Sequence, residues 1–228
     1  MKKHTITSSY RIYSGDSMKH NIAQIAGIGC GFITIMCAFL WTASLIKGSN
    51  LKNNLENSWA PLSMFCVLPF IFSEILIVLR SSIENKEMIF AKFARTLPNS
   101  FNVYKQSYIG RHIANIFTLI AISAFIIIIC AVNIFPADVS DAVRCVCCGI
   151  FAVMLFGFLS EITALIKNSI VYTIIFSISL SLCFVFAIIG ARFIQNIFIL
   201  CAILGVGIIL NLLSIMFNIR RMKKEWTK

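Results

Sequence analysis

Apolar and polar positions along this chain fall into long blocks. Six blocks are predominantly apolar: residues 22–46, 59–79, 113–135, 145–166, 169–190 and 197–217. Each runs 21 to 25 residues, and about 20 are needed for a helix to cross the hydrocarbon core of a bilayer. The pattern predicts an all-α polytopic membrane protein with six transmembrane helices. Its parts are a polar arm at 1–21, a transmembrane domain at 22–217 and a basic tail at 218–228. The arm, interrupted by Ser8, Ser9, Gly15 and Ser17, reads as loosely structured. Residues 136–144 and 191–196 read as tight turns. Lys167 and Asn168 alone join the fourth and fifth blocks, so those helices are expected to pack as an antiparallel pair.

One long polar interval, residues 80–112, separates the second block from the third. Within it Ile83, Phe90, Phe93, Ala94 and Leu97 recur at helical spacing, while Glu84, Asn85, Lys86, Glu87, Lys92 and Arg95 cover the other faces. This is the pattern of a short amphipathic helix. Pro98 ends it, because the proline ring disfavours helical geometry in the residue before it. Asn99 or Ser100 then caps a second helix that runs through Tyr104 and Tyr108 into the third apolar block. A short amphipathic helix outside the membrane is a docking surface.

Composition agrees with the block pattern. Apolar residues make up 59% of the chain and charged residues 13%, with a mean hydropathy of +0.89. A soluble domain of 228 residues could not cover that much apolar surface. Of the twenty lysines and arginines, only Lys47, Lys52, Arg144 and Arg192 fall on the side opposite the termini. Positive charge accumulates on the cytoplasmic side of membrane proteins, which puts both termini and the 80–112 loop inside. The net charge of +11 is thus a topology signal plus attraction to the anionic headgroups of the lipid bilayer. Nucleic-acid binding is excluded for want of a clustered basic and aromatic surface. The nine cysteines lie in or beside the apolar blocks, where a thiol acts as a small hydrophobe.

Candidate chemistry is sparse. Two carboxylates, Glu74 and Glu161, each sit five residues inside the 80–112 side of a block, about 8 Å deep at the helical rise. An intramembrane carboxylate is costly and marks either a polar clamp, a substrate-passage or switching residue, or a proton relay. Ala23, Gly27 and Gly31 form a small-residue stripe on the first helix, open either to a helix of the same chain or to another subunit. Cys145, Cys147 and Cys148 have no histidine near enough to complete a metal site, so no metal is expected. No serine, cysteine or histidine pairing of a catalytic kind is present, and no catalytic residue is expected. The phosphate-binding pattern G-x-x-x-x-G-K-[ST] is also absent. Any ATP-driven work therefore requires a second chain.

Glu84, Lys86, the run Arg95-Thr96-Leu97-Pro98-Asn99-Ser100, and Tyr104-Lys105 leading into the third helix resemble the ABC-2-type permeases of bacterial ABC transporters. That resemblance implies that Ile83, Glu84, Phe90, Phe93, Leu97 and Pro98 couple the chain to a cytoplasmic ATPase subunit. ATP and Mg would be held by that subunit, and this chain would bind no cofactor of its own. It also implies a second permease, identical or homologous, the cytoplasmic membrane of a bacterium as location, and export of peptides or amphipathic compounds, including bacteriocin immunity. An amphipathic helix before the first span belongs to the same pattern, although residues 1–21 read as an irregular arm. The competing reading is a self-sufficient secondary carrier or a substrate-binding membrane subunit.

Overall fold

The computed structural model describes residues 5–14, 17–47, 99–134, 138–163 and 169–226. The described residues form an all-helical membrane protein. Its helices are α1 (Ile6–Ser14), α2 (Met18–Lys47), α3 (Ser100–Ala131), α4 (Val139–Thr163), α5 (Ser169–Phe193) and α6 (Ile197–Trp226). All but α1 are long and apolar enough to cross a membrane. These five correspond to the first, third, fourth, fifth and sixth apolar blocks. The second block and the amphipathic segment at 82–97 lie outside the described residues.

Several boundaries differ from the sequence pattern. α2 already begins at Met18, and α5 runs to Phe193 and so shortens the turn expected over 191–196. Three others have a local reason. α3 starts at Ser100, well before its apolar block, and carries Tyr104, Lys105, Tyr108 and His112 into the span without a break. Asn99 opens it in a left-handed conformation, φ 64°, and its carbonyl rather than its side chain receives the N–H groups of Asn102 and Val103. α4 starts at Val139, so the turn expected over 136–144 is shorter. The Asp138 carbonyl accepts from Asp141 and Ala142, and Asp141 pairs with Arg144 across the first turn. α6 runs on through the basic tail to Trp226. Residues after Phe217 contain no Gly or Pro, and Lys223 and Lys224 suit the negative end of the helix dipole.

The larger correction concerns the N-terminal arm. Residues Ile6–Ser14 are helical and docked, not loose. Thr5 and Ser8 exchange hydrogen bonds at the start of α1, the Thr5 N–H donating to Ser8 Oγ at 2.9 Å. Tyr10, only 7% exposed, lies against α3 where Gly110 has no side chain. A Cβ at Gly110 would stand 3.1 Å from Tyr10 Cδ2 and 3.2 Å from Ile6 Cγ2. The Asn21 amide donates to the Tyr10 hydroxyl at 2.8 Å, and Ser9 Oγ donates to Gln106 Oε1 at 2.7 Å. These contacts supply the tertiary stabilisation that a nine-residue helix lacks by itself.

Packing divides the bundle into two units. α1 and α2 pack on α3, while α5 and α6 pack on α4, as expected for α4 and α5 from their short connection. A narrower seam joins the units where α3 meets α4 and α6. Its two ends differ in chemistry. At the end near Val139 it is apolar, with Leu119, Ile122, Ile126 and Cys130 of α3 against Ala142, Cys145 and Val146 of α4. There the Trp41 indole N–H donates to the Ile134 carbonyl at 2.7 Å, tying α2 to the left-handed turn at Asn133 that ends α3. Toward Ser100 the seam becomes polar. Outward faces are apolar, including Ile174, Ile178 and Leu182 of α5 and Phe198, Ile209 and Leu212 of α6, as lipid contact requires.

Candidate functional site: a polar seam between two helix units

Three helices bring polar side chains to the Ser100 half of the seam. On α3, Tyr104, Tyr108, His112 and Asn115 recur at steps of four, four and three. Asn211, Ser214 and Asn218 recur at steps of three and four on α6. Both spacings make one stripe on one helical face. α4 contributes Glu161 near its end.

Glu161 is the hub. The Tyr108 hydroxyl donates to Glu161 Oε1 at 2.6 Å, and Asn218 Nδ2 donates to Oε2, also at 2.6 Å. The Tyr104 hydroxyl donates to Asn218 Oδ1 at 3.2 Å and closes the network. The Tyr104 and Tyr108 rings stack with centroids 6.2 Å apart. Glu161 therefore rests on neutral donors from two other helices, and among the described residues no lysine or arginine forms an ion pair with it. Hydrogen bonds to a carboxylate are stronger than neutral ones, and buried ones are costly to break. The network holds the α3 unit to the α4–α6 unit at this end.

One turn further in, His112 meets the edge of Tyr108, with ring centroids 4.8 Å apart, and is hydrogen-bonded to the Asn211 side chain. Beyond it lies a cavity of about 30 Å³. Its polar walls are His112, Asn115, Asn211 and Ser214, and Met154 and Val153 are among its apolar ones. Ser214 is 2% exposed, and its hydroxyl has no hydrogen-bond partner among the described residues.

Of the residues singled out in the sequence, Glu161 is thus placed among partners. Glu74, Ile83, Glu84, Phe90, Phe93, Leu97 and Pro98 lie outside the described residues. Ala23, Gly27 and Gly31 are exposed, and among the described residues nothing outside the helix's own backbone lies within 4 Å of a Cβ built on either glycine. The glycine that lets α2 approach α3 is Gly29, where a Cβ would stand 2.8 Å from Ile122 Cδ1. Cys145 and Cys148 are buried in the apolar end of the seam. Among the described residues no three His, Cys, Asp or Glu side chains are grouped to hold a metal. The tyrosines, His112 and the α6 stripe were missed in the sequence. The signal was there: polar residues at helical steps within an apolar helix mark an inward face.

Compared with known proteins, the chain matches no family model, no curated protein and no solved structure.

Proposed function

We propose that this chain is the membrane-spanning permease subunit of an ATP-driven ABC transporter of ABC-2 type, exporting a peptide or another amphipathic compound. ATP hydrolysis belongs to a separate cytoplasmic subunit, which binds ATP and Mg and docks on the amphipathic segment at 82–97. The functional unit holds two permease chains, and both termini face the cytoplasm of a bacterial cell.

The observation that best supports this reading is the continuity of α3. Asn99 and Ser100, the last residues of the Leu97-Pro98-Asn99-Ser100 run in the sequence, open one unbroken helix, Ser100–Ala131. That helix carries Tyr104 and Tyr108, which hold the polar seam. A displacement of the 82–97 segment by a partner would therefore act on the first turn of a rigid rod. The rod would pass it to the seam between the two helix units. On this reading α1, docked on the same part of α3 through Tyr10 and Gly110, takes the place of the amphipathic helix expected before the first span of such a permease.

The direct test is purification of the tagged chain from its native membrane in mild detergent. A nucleotide-hydrolysing subunit should accompany it, and hydrolysis should vanish when that subunit is stripped away. The polar seam and its cavity favour one second reading, a self-sufficient carrier driven by an ion gradient. Gradient-driven transport by the purified chain alone in proteoliposomes would select the carrier over the permease.

A further inference from the structure

The cavity between α3, α4 and α6 combines two independent features. Its polar walls come from facing helices, His112 and Asn115 on α3 and Asn211 and Ser214 on α6. One of those groups, the Ser214 hydroxyl, is almost wholly buried with no partner among the described residues. A buried hydroxyl without a hydrogen bond is costly in a protein interior and more so at membrane depth. Genuinely dry cavities are lined by apolar groups, whereas a polar cavity of sufficient size holds water. About 10–15 Å³ accommodates one water by this measure, so a cavity of about 30 Å³ has room for roughly two.

We infer that this cavity is a hydrated internal site for small, uncharged hydrogen-bonding groups, closed toward the Ser100 end by the Glu161–Tyr108–Asn218 network. The ligand class follows from the walls: two amides, an imidazole and a hydroxyl offer donors and acceptors but no fixed charge. Water fills the site in the closed bundle. A hydroxyl or amide group of a larger molecule is the matching occupant once the seam parts. The inference concerns the seam alone and holds whether the chain works with an ATPase or as a carrier.

The closing role of Glu161 follows from position. The carboxylate is bonded to Tyr108, and the Tyr108 ring in turn covers His112 at the cavity wall. Tyr108 thus stands between the Glu161 carboxylate and His112, on the Ser100 side of the cavity. Removing the Tyr108 hydroxyl takes away the bond from α3 to α4 while keeping the ring that packs on His112.

The test uses the chemistry of thiols. A thiol reacts with a methanethiosulfonate reagent as its thiolate, and thiolates form in water rather than in apolar surroundings. Ser214→Cys replaces one small side chain by another of similar shape. Met154→Cys supplies a second reporter in the same cavity should the first not fold. The full-length variants in lipid nanodiscs are treated with methyl methanethiosulfonate, and modification is followed site by site by mass spectrometry. Two native cysteines serve as internal controls: Cys183, buried in the apolar packing of α4 on α5, and Cys201, exposed on the apolar surface of α6. The cavity cysteine should react at least about tenfold faster than either control, the ratio that a one-unit difference in thiol pKa produces. Adding Tyr108→Phe should raise the cavity rate several-fold further and leave the controls unchanged. A cavity cysteine no faster than Cys183 would overturn the hydrated site. A rate indifferent to Tyr108→Phe would overturn the closing role of the Glu161 network.

Discussion

The Tyr108 hydroxyl donates to Glu161 Oε1 at 2.6 Å, linking helices whose contact residues stand 53 positions apart. With Asn218 on the other carboxylate oxygen, the bond ties the α3 unit to the α4–α6 unit at their polar end. A carboxylate that the sequence marks only as an intramembrane charge thus becomes the junction of three helices.

Tyr108→Phe should lower stability by about 1.5–3 kcal/mol, the range for losing a hydrogen bond to a charged acceptor. Glu161→Ala should cost more, since it leaves the Tyr108 and Asn218 donors unsatisfied together. Glu161→Gln should be milder than either, because a flipped Asn218 amide can restore both bonds. A double-mutant cycle between positions 108 and 161 should return a coupling of about 0.5–2 kcal/mol. Strict additivity, read from thermal or denaturant unfolding in detergent, would remove the junction from the account.

The docking of α1 makes a separate prediction. Gly110→Ala places a methyl 3.1–3.3 Å from Tyr10 and Ile6 carbons, so α1 must shift by a few tenths of an ångström or detach. Tyr10→Phe removes the hydrogen bond from Asn21. Both variants should raise the rate of tryptic cleavage at Arg11 by about fivefold or more, as expected for about 1 kcal/mol of lost docking, with the membrane helices intact. Cleavage at the native rate would mean that α1 is held by something other than Tyr10.

Much of this architecture was legible in the hydropathy blocks, because a spanning helix must be apolar over its whole length. What escaped reading depends on contacts between distant segments. α1 is short and polar, and its helix rests on Gly110 and Gln106, about a hundred positions away. The partners of Glu161 sit on two other helices, and no periodicity within α4 points to them. The stripes Tyr104–Tyr108–His112 and Asn211–Ser214–Asn218 were visible as spacing, but hydropathy alone does not say that two stripes face each other. On α2 the regular small-residue stripe is Ala23–Gly27–Gly31, whereas the contact glycine is Gly29 on another face. Small residues at regular steps show where a helix could be approached, not where it is.

That distinction can be measured on α2. Gly29→Val should destabilise the fold by about 1–3 kcal/mol, since Ile122 is fully buried and cannot swing away without displacing its neighbours. Gly27→Val and Gly31→Val should leave unfolding of the single chain within about 0.5 kcal/mol of the parent, since valine is no worse a helix former than glycine. The same pair tests whether that open face meets a second permease, through loss of the dimer in crosslinking. Equal destabilisation at all three glycines would contradict the packing of α2 on α3 through Gly29.

The permease reading stands most directly on the amphipathic segment that precedes α3. Phe90 and Phe93 stand three positions apart, a spacing that would place them on one face of the helix the sequence predicts there, and a groove on a partner is the natural seat for such a face. Losing a buried phenylalanine at an interface costs about 2–4 kcal/mol, or roughly 30- to 1,000-fold in affinity. The measurement is the amount of ATPase subunit that co-purifies with the tagged chain from native membranes. Phe93→Ala, alone or with Phe90→Ala, should release the ATPase while the permease stays folded and inserted, and Lys92→Ala should retain it. Stoichiometric retention and normal transport in both phenylalanine variants would contradict the coupling role of this helix and the permease assignment with it.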